Sequence, residues 1–230
     1  MVEIVSPLPG TEPPHGCTRC PRLVAFRREC QAEYPGWWNA PVYAFGDPYA
    51  WLAFAGLAPG KHGANRTGRP FTGDYAGDLL FATLAEFGLS RGTYDARTDD
   101  GLTLDGAIIV NSVKCLPPQN KPTPKEIANC RPFFEAQLAA LPSVRVVIAL
   151  GRIAHDATLR AAGVRLAGYP FAHGAVHALP DGRHLVDSYH CSRYNTNTGR
   201  LTAEMFADVF RKAIALRDQT SGRNSSTTAR

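Results

Sequence analysis

The sequence predicts an α/β fold, a three-layer α/β/α sandwich around a central, mainly parallel, four-stranded sheet. Two observations support this prediction. Four short apolar runs typical of buried strands occur along the chain, and a stretch with helical periodicity follows each of them. Strands that alternate with helices form parallel sheets with right-handed connections and helices on both faces. With 230 residues, of which 44% are hydrophobic, the chain is long enough for one domain with a substantial core.

The predicted strands cover residues 51–57, 107–113, 144–150 and 184–189. The predicted helices cover residues 75–87, 124–141, 152–162 and 202–217. In the last helix the apolar residues lie mostly on one face, as they do in a helix packed against a sheet. No internal repeat or linker interrupts this order, so we expect one domain over residues 1–218. Residues 219–230 hold almost no apolar side chain, and we expect a disordered tail there.

The composition favours an anionic partner and a location in the cytoplasm. The formal net charge is +5 and the sequence pI is about 9.0. No apolar run is as long as a membrane span, so no membrane association is expected. Residues 1–14 lack the basic start and apolar core of a secretion signal, so we expect reduced cysteines. We also expect a monomer.

The most informative segment covers residues 56–74, directly after the first predicted strand. Its glycines let backbone N–H groups approach a ligand closely, because no Cβ stands between them. It also holds three cations, one aromatic ring and one carboxylate: Lys61, Arg66, Arg69, Phe71 and Asp74. Such a combination suits a nucleotide pocket. The alternative is an ordinary strand-to-helix turn with a solvated basic rim.

Four of the six cysteines have the spacing of metal ligands. Cys17 and Cys20 form a Cys-x-x-Cys pair, and Cys115 and Cys130 lie in proline-rich segments that form stiff loops. Four thiolates fit either a tetrahedral zinc ion or a [4Fe–4S] cluster, and the spacing does not separate the two. Disulfides are less favoured, because no oxidising compartment is indicated. The other two cysteines are expected to be free thiols: Cys30 and Cys191.

Three informative loops begin at the carboxyl ends of predicted strands. They cover residues 56–74, 111–120 and 190–200. Ligands of open α/β sheets bind at this edge, so one pocket can collect residues from all three loops. Taken alone, Asn120 is more often a turn residue and His190 more often a structural histidine. Their convergence on one edge favours a functional site.

Three loop motifs and the four spaced cysteines carry a family resemblance. The motifs are Gly-Leu-Ala-Pro-Gly followed by His-Gly-Ala-Asn-Arg-Thr-Gly-Arg-Pro-Phe-Thr-Gly-Asp within 56–74, Asn-Ser-Val-Lys-Cys-Leu-Pro-Pro-Gln-Asn-Lys-Pro at 111–122, and His-Cys-Ser-Arg-Tyr-Asn-Thr-Asn-Thr-Gly-Arg-Leu-Thr at 190–202. They resemble those of family 5, or type B, uracil-DNA glycosylases, an iron–sulfur group of the uracil-DNA glycosylase superfamily. The resemblance spans residues 17 to about 210.

The resemblance implies an activity, a substrate and a cofactor. It implies a monofunctional enzyme of base excision repair that hydrolyses the N-glycosidic bond of uracil in double-stranded DNA. Other deaminated bases, such as hypoxanthine, are further expected substrates. It also implies a structural [4Fe–4S] cluster bound by four residues: Cys17, Cys20, Cys115 and Cys130.

The first motif departs from most of the superfamily in a way that matches family 5. Where most members have an acidic residue or an asparagine to orient the hydrolytic water, this chain has Leu57 and Ala58. Asp74 is the nearest carboxylate that could act instead, and Asn120 could orient a water from the second loop. His190 is expected to donate a hydrogen bond to the base oxygen that gains negative charge.

The resemblance also indicates which residues hold the base and the DNA. The expected base-binding residues are Gly56, Ala58, Phe71, Asn111 and His190. Among them, the ring of Phe71 is expected to stack on the base and the amide of Asn111 to read its edge. The expected DNA-binding residues, which include the wedge that fills the gap left by the base, are Arg66, Ser192, Arg193, Tyr194 and Asn195.

Two alternatives differ from this interpretation in specificity or in class. One is a family 4 type uracil-DNA glycosylase with narrow specificity, which Leu57 and Ala58 disfavour. The other is a non-catalytic DNA-binding module with a metal site. A nucleotide-binding metabolic enzyme is disfavoured, because the glycine-rich segment lacks the usual dinucleotide and P-loop spacings.

Overall fold

Six strands form the central sheet of the computed structural model, which describes the backbone of residues 5–225 and the side chains of residues 5–219. The strands in this part of the chain are β1 (Phe45–Gly46), β2 (Leu52–Gly56), β3 (Ser90–Arg91), β4 (Thr103–Leu104), β5 (Ala107–Asn111), β6 (Val146–Leu150), β7 (Val176–Ala178) and β8 (His184–Ser188). The sheet order is β1-β5-β2-β6-β8-β7, and β3 pairs with β4 separately.

The four predicted strands are the central ones, and they pair in parallel in the order β5-β2-β6-β8. The prediction of a mainly parallel α/β sheet is therefore confirmed. The number of strands was wrong, since over residues 5–225 the sheet has six rather than four. The additional strands, β1 and β7, are antiparallel edges of two and three residues. Such short strands show no alternating pattern in a sequence.

The helices of the described chain are α1 (Pro21–Glu33), α2 (Ala64–Thr67), α3 (Tyr75–Glu86), α4 (Pro124–Ala139), α5 (Arg152–Ala161), α6 (Arg193–Asn197) and α7 (Ala203–Ser225). The predicted helices correspond to α3, α4, α5 and α7. Local signals set the start of α4, where Thr123 and Glu126 form a capping box. No amphipathic pattern marks α1, in which Leu23 and Cys30 are the buried residues.

The last helix is longer than predicted. It continues to Ser225 and so includes residues 219–225 of the predicted tail. Once the first turns of a helix are packed, each further residue adds a hydrogen bond at little cost, so the helix extends past its buried part. Residues 226–230, which also belong to the predicted tail, lie outside the described residues.

The helices cover both faces of the sheet. On one face α3 and α7 pack on side chains that include Phe54 and Ile148. On the other face α4 and α5 pack on side chains that include Ala53 and Val147. Neighbouring strand residues thus point to opposite layers, as the period of two requires. The three-layer sandwich is confirmed, and no helix of the described chain is long and apolar enough to cross a membrane.

Candidate active site

A pocket opens at the edge of the sheet where the parallel strands end. Its volume is about 590 Å³, and its walls come from the segments after β2, β5, β6 and β8. Six of the residues predicted for base binding and catalysis line it: Ala58, Phe71, Asp74, Asn111, Asn120 and His190. The structure therefore brings the three predicted loops together at the edge where α/β sheets bind ligands.

Gly56 lies at the end of β2, directly opposite Asn111 of β5. A Cβ at Gly56 would collide with Asn111 Oδ1 and would lie 3.1 Å from the ring of Phe71. Asn111 is 3% exposed, and its Oδ1 has no hydrogen-bond partner among the described residues. A buried carboxamide oxygen without a partner is costly, which indicates that a donor on a ligand completes it.

Phe71 has a backbone conformation that is rare for a residue with a side chain. Its φ of 55° lies in the left-handed region, which costs about 1–3 kcal/mol at such a residue. The carbonyl oxygen accepts a hydrogen bond from Tyr94 Oη at 3.3 Å and packs on Gly77, where a Cβ would collide with it. The ring is close to parallel with that of His190, with centroids 6.1 Å apart. The surrounding contacts thus hold the ring at the pocket.

His190 is half-buried beside Phe71, in the loop that follows β8. Burial lowers the pKa of its imidazole to about 4, so the ring is neutral at neutral pH and has one N–H to donate. Its carbonyl oxygen accepts a hydrogen bond from Asn195 Nδ2 at 2.8 Å. The amide of Asn195, a predicted DNA-binding residue, therefore faces the backbone of His190 and orients this loop.

Asp74 has two roles in the structure. Its Oδ1 caps α3 by accepting a hydrogen bond from the backbone N–H of Gly77 at 3.1 Å. Its Oδ2 faces the glycine-rich loop, where a Cβ at Gly60 would be 3.2 Å away and a Cβ at Gly63 would collide with it. Burial raises the pKa of Asp74, although the N–H of Gly77 favours the ionised form. One oxygen is thus committed to the helix and the other lies beside the pocket.

Asn120 lies at the rim of the pocket. It is exposed at the end of a 3₁₀ turn, Pro118–Asn120, and its φ is 57°. Its side chain is therefore accessible to solvent rather than packed against the predicted base-binding residues.

Two predicted DNA-binding residues, Ser192 and Arg193, line the pocket, and a third, Tyr194, follows them in α6. Ser192 caps α6 by accepting a hydrogen bond from the N–H of Asn195 at 3.4 Å. The guanidinium carbon of Arg193 lies 5.2 Å from the ring centroid of Tyr75, which also lines the pocket. The side chain of Tyr194 is 72% exposed.

The cations of the glycine-rich segment have different environments. Arg69 is buried and bound by both oxygens of Asp100, at 2.8 and 2.6 Å, so it has a structural role. Lys61 forms an ion pair of 3.0 Å with Glu33. Arg66 is exposed, lies outside the lining of the pocket and donates through Nε to a backbone carbonyl one turn earlier. Of the three cations that the sequence suggests for binding phosphates, two are therefore already paired with carboxylates.

The sequence reasoning missed one wall of the pocket. Residues 150–154, at the junction of β6 and α5, line it. Gly151 has a φ of 99° and begins α5 without a side-chain cap, so the first N–H groups of the helix lack a side-chain acceptor. Such N–H groups are suited to bind an anion, for example a DNA phosphate. The available signal was a glycine placed directly between a predicted strand and a predicted helix.

The four spaced cysteines line a second, small cavity: Cys17, Cys20, Cys115 and Cys130. Nitrogen donors lie within hydrogen-bond distance of three of the sulfurs, at 3.6 Å from Cys20, 3.3 Å from Cys130 and 3.9 Å from Cys115. Burial raises the pKa of these three thiols, whereas the hydrogen bonds act in the opposite direction and favour the thiolates. None of the six cysteines, all of which lie in the described part of the chain, forms a disulfide.

The spacing of these sulfurs bears on what they could bind. Tetrahedral zinc with Zn–S bonds of about 2.3 Å sets its sulfurs about 3.8 Å apart. Within the described residues, no three of the four sulfurs all lie within 4.8 Å of one another. The arrangement in the described structure is therefore wider than a single tetrahedral ion requires.

Comparison with known proteins agrees with this site. The family model of the uracil DNA glycosylase superfamily matches residues 43–214. The type-5 uracil-DNA glycosylase of Thermus thermophilus is 51% identical over 205 residues, which cover 87% of this chain and 93% of that protein. The type-5 enzyme of Pyrobaculum aerophilum is 43% identical and covers 86% and 88%. A type-4 uracil-DNA glycosylase of Archaeoglobus fulgidus is 36% identical over 49% of each chain.

The fold and these matches define the class of protein, an α/β DNA glycosylase. The chain belongs to the uracil DNA glycosylase superfamily and, within it, to the type-5 family.

Proposed function

We propose that the protein is a monofunctional glycosylase of base excision repair, which releases uracil and other deaminated bases from double-stranded DNA. The observation that carries this proposal is the unpaired, buried Oδ1 of Asn111 in the same pocket as Phe71 and a neutral His190. A planar base that presents an N–H group next to a carbonyl satisfies all three residues.

The first step is the extrusion of the base from the duplex. Extrusion costs a few kcal/mol of stacking and pairing, and least at a mismatch. Arg193 lines the pocket, and the next residue of α6, Tyr194, is largely exposed. We propose that these two side chains fill the gap that the base leaves in the duplex. The N–H groups at the start of α5 then bind a neighbouring phosphate.

Recognition of the extruded base follows from the amide of Asn111. Its Oδ1 accepts the N3–H of uracil, and its Nδ2 donates to the neighbouring O4. Hypoxanthine presents the same pair of groups, N1–H beside O6, whereas cytosine and adenine present an acceptor nitrogen beside an amino group. Stacking on the ring of Phe71 does not depend on the base, and is worth about 1–3 kcal/mol. The amide of Asn111 thus distinguishes uracil and hypoxanthine from their parent bases cytosine and adenine, but not from thymine and guanine, which present the same pair of groups.

Bond cleavage depends on stabilisation of the departing base anion. His190 donates its N–H to the base oxygen that gains charge, and because the ring is neutral this donor is available across the ordinary pH range. One such donor in a partly dry pocket contributes about 3–4 kcal/mol. The side chain of Ala58, which lines the pocket, has no group that could take or give a proton. The hydrolytic water is assigned to the free oxygen of Asp74, with the exposed amide of Asn120 as a second orienting group.

The cofactor assignment is part of the same proposal. Cys17, Cys20, Cys115 and Cys130 would hold a [4Fe–4S] cluster, because four cysteine thiolates are the ligand set of such a cluster and all four line one small cavity. The cluster would join α1, α4 and the segment after β5, and so contribute stability rather than chemistry. We place the protein in the cytoplasm with the DNA, as a monomer.

The test is base release from duplex oligonucleotides that carry one uracil or one hypoxanthine, read by alkaline cleavage at the abasic product. Release of both bases is expected, with no strand cleavage before alkali. Release of uracil alone would indicate a narrow glycosylase. If cluster-containing, folded protein released neither base, the DNA-binding module would replace this proposal. Iron and zinc analysis of the same sample tests the cofactor independently.

A further inference from the structure

Three metal-ligating side chains lie together beside the pocket wall formed by residues 150–154. His155 belongs to α5, His177 to β7 and Asp187 to β8. Their side chains are 1%, 11% and 0% exposed. One nitrogen of each histidine and one carboxylate oxygen all lie within 4.8 Å of one another. Base release and the cysteine cavity use none of these three residues.

The hydrogen bonds of His155 call for a cation between it and Asp187. Nε2 of His155 is 2.9 Å from the carbonyl oxygen of Tyr169, which can only accept, so this nitrogen bears the hydrogen. Nδ1 of the same ring is 2.6 Å from Asp187 Oδ1. With one hydrogen on the ring, a nitrogen lone pair would face a carboxylate lone pair at this distance. Either a second proton or a metal ion must lie between them.

The third residue makes the metal ion the better-supported of the two. His177 Nε2 is 3.2 Å from Asp187 Oδ2, so a second imidazole is directed at the same carboxylate. A ring whose outer N–H donates to a backbone carbonyl, as that of His155 does, is typical of histidines that bind metals. We propose that His155, His177 and Asp187 bind a zinc ion.

The distances suit zinc with small adjustments. Zinc bound at about 2.0–2.2 Å by nitrogen and oxygen ligands in a tetrahedron sets those atoms about 3.3 Å apart. His177 Nε2 is already 3.2 Å from Asp187 Oδ2. The distance of 2.6 Å between His155 Nδ1 and the other carboxylate oxygen, Asp187 Oδ1, must widen. His177 lies on the edge strand and is partly exposed, which leaves access for a water as fourth ligand.

The position of the site indicates its role. The ion would tie together α5, β7 and β8. Of these, β7 and β8 are paired strands, and the start of α5 is joined to β8 by the hydrogen bond from Gly151 N to Ser188 O. The first turn of α5 is the pocket wall, and Asp187 precedes His190 by three residues. Zinc would also neutralise a carboxylate that is fully buried, which otherwise carries a large desolvation cost. The site is therefore structural, and supports two walls of the pocket.

The test is a zinc chloride titration of the cluster-containing protein after dialysis against a chelator, with zinc and iron measured per chain. One tightly bound zinc is expected, with a rise in Tm on binding. Asp187→Asn, which preserves shape, and His177→Ala, at the sheet edge, should each weaken zinc binding at least 100-fold without changing the iron content. His184→Ala, also on β8 but outside the group, is the matched control and should bind zinc normally.

Two outcomes would overturn the proposal. Zinc that remains in Asp187→Asn and His177→Ala but disappears in Cys17→Ser would belong to the cysteines. If the wild-type protein bound no zinc at 100-fold excess, a proton rather than a metal would hold His155 against Asp187. Far-UV circular dichroism and iron content show that each variant is folded, and His177→Ala keeps the test valid if Asp187→Asn does not fold.

Discussion

Gly56 and Asn111 are cross-strand partners at the last paired position of β2 and β5, and the space that a Cβ on Gly56 would need is occupied by Asn111 Oδ1. The absence of a side chain on one strand thus sets the position of the amide on the other. Because the amide oxygen is buried and unpaired among the described residues, its position is fixed by packing rather than by hydrogen bonds.

Gly56→Ala is therefore expected to displace the base-reading amide. A displacement of about 1 Å in a positioned group costs about 10²-fold in rate, so base release should fall by that order while affinity for undamaged DNA stays within about twofold. Single-turnover kinetics and DNA binding measure the two effects. Gly36→Ala, at a glycine with open space around it, is the control and should keep wild-type rates. Equal losses in both variants would mean that the close approach at Gly56 has no catalytic consequence.

His190→Ala is expected to lower the rate of base release by about 10²–10³-fold, as the loss of one oxyanion donor does. Affinity for DNA should change little, because the donor acts on charge that develops in the transition state. The split between rate and binding is the relevant measurement. His184→Ala, at the far end of β8, provides a control for the loss of a half-buried histidine. Wild-type turnover in His190→Ala would remove this residue from the mechanism.

The lowered pKa of His190 also predicts a pH dependence of stability. In the unfolded chain the imidazole takes up a proton near its ordinary pKa of about 6.5, whereas in the folded protein it does so near 4. The unfolded state therefore binds more protons between these values, and stability decreases as pH falls from about 6.5 to 4. The contribution is on the order of 2–3 kcal/mol, reduced by the opening of the pocket to solvent.

Chemical denaturation of wild type and His190→Asn at several pH values measures this contribution. The difference in free energy of unfolding between the two proteins should be constant above pH 7 and should shrink or reverse towards pH 4. A difference that did not change with pH would show that the imidazole titrates alike in both states.

Much of the fold was predictable because the central strands are buried on both faces. Runs such as Val146–Leu150 are continuously apolar, and the loops that follow them carry glycine and polar residues. Their order along the chain then placed the pocket at the carboxyl edge. The edge strands β1 and β7 escaped prediction because their identity depends on hydrogen bonding to β5 and β8, which no local pattern records.

The candidate site was predictable where residue type limits chemistry, and less so where packing assigns the role. Phe71, Asn111 and His190 line the pocket as predicted. Arginine is a common phosphate ligand, but Arg69 is buried and paired with Asp100, 31 residues away. The sequence pattern around Arg69 does not reveal this pairing. The same holds for His155 and Asp187, whose contact joins α5 and β8.

Asp74 requires a substitution that separates its two roles. Asn at a helix N-cap is about as good as Asp, whereas Ala costs about 1 kcal/mol. Asp74→Asn should therefore keep the stability of the protein but remove the carboxylate, and Asp74→Ala should lose both. If the free oxygen orients the water, base release should fall at least 10-fold in both variants, as for the loss of a general base. Thermal unfolding and single-turnover rates together decide, and a loss of rate in Asp74→Ala alone would leave Asp74 as a cap only.

Tyr194 offers the clearest test of the wedge, because its side chain is 72% exposed and its removal costs the fold little. Tyr194→Ala should slow the release of uracil at least 10-fold when the opposite base pairs well with it. The effect should be smaller at a mismatch, because a poorly paired base costs less to extrude. Tyr49→Ala, at a tyrosine that is 81% exposed and precedes the amino end of β2, opposite the pocket edge, is the matched control and should leave both rates unchanged. The ratio of the rate at the mismatch to the rate at the well-paired site is the relevant quantity, because the loss of a phosphate contact would slow both reactions equally. An unchanged ratio in Tyr194→Ala would assign the wedge to another residue of the loop.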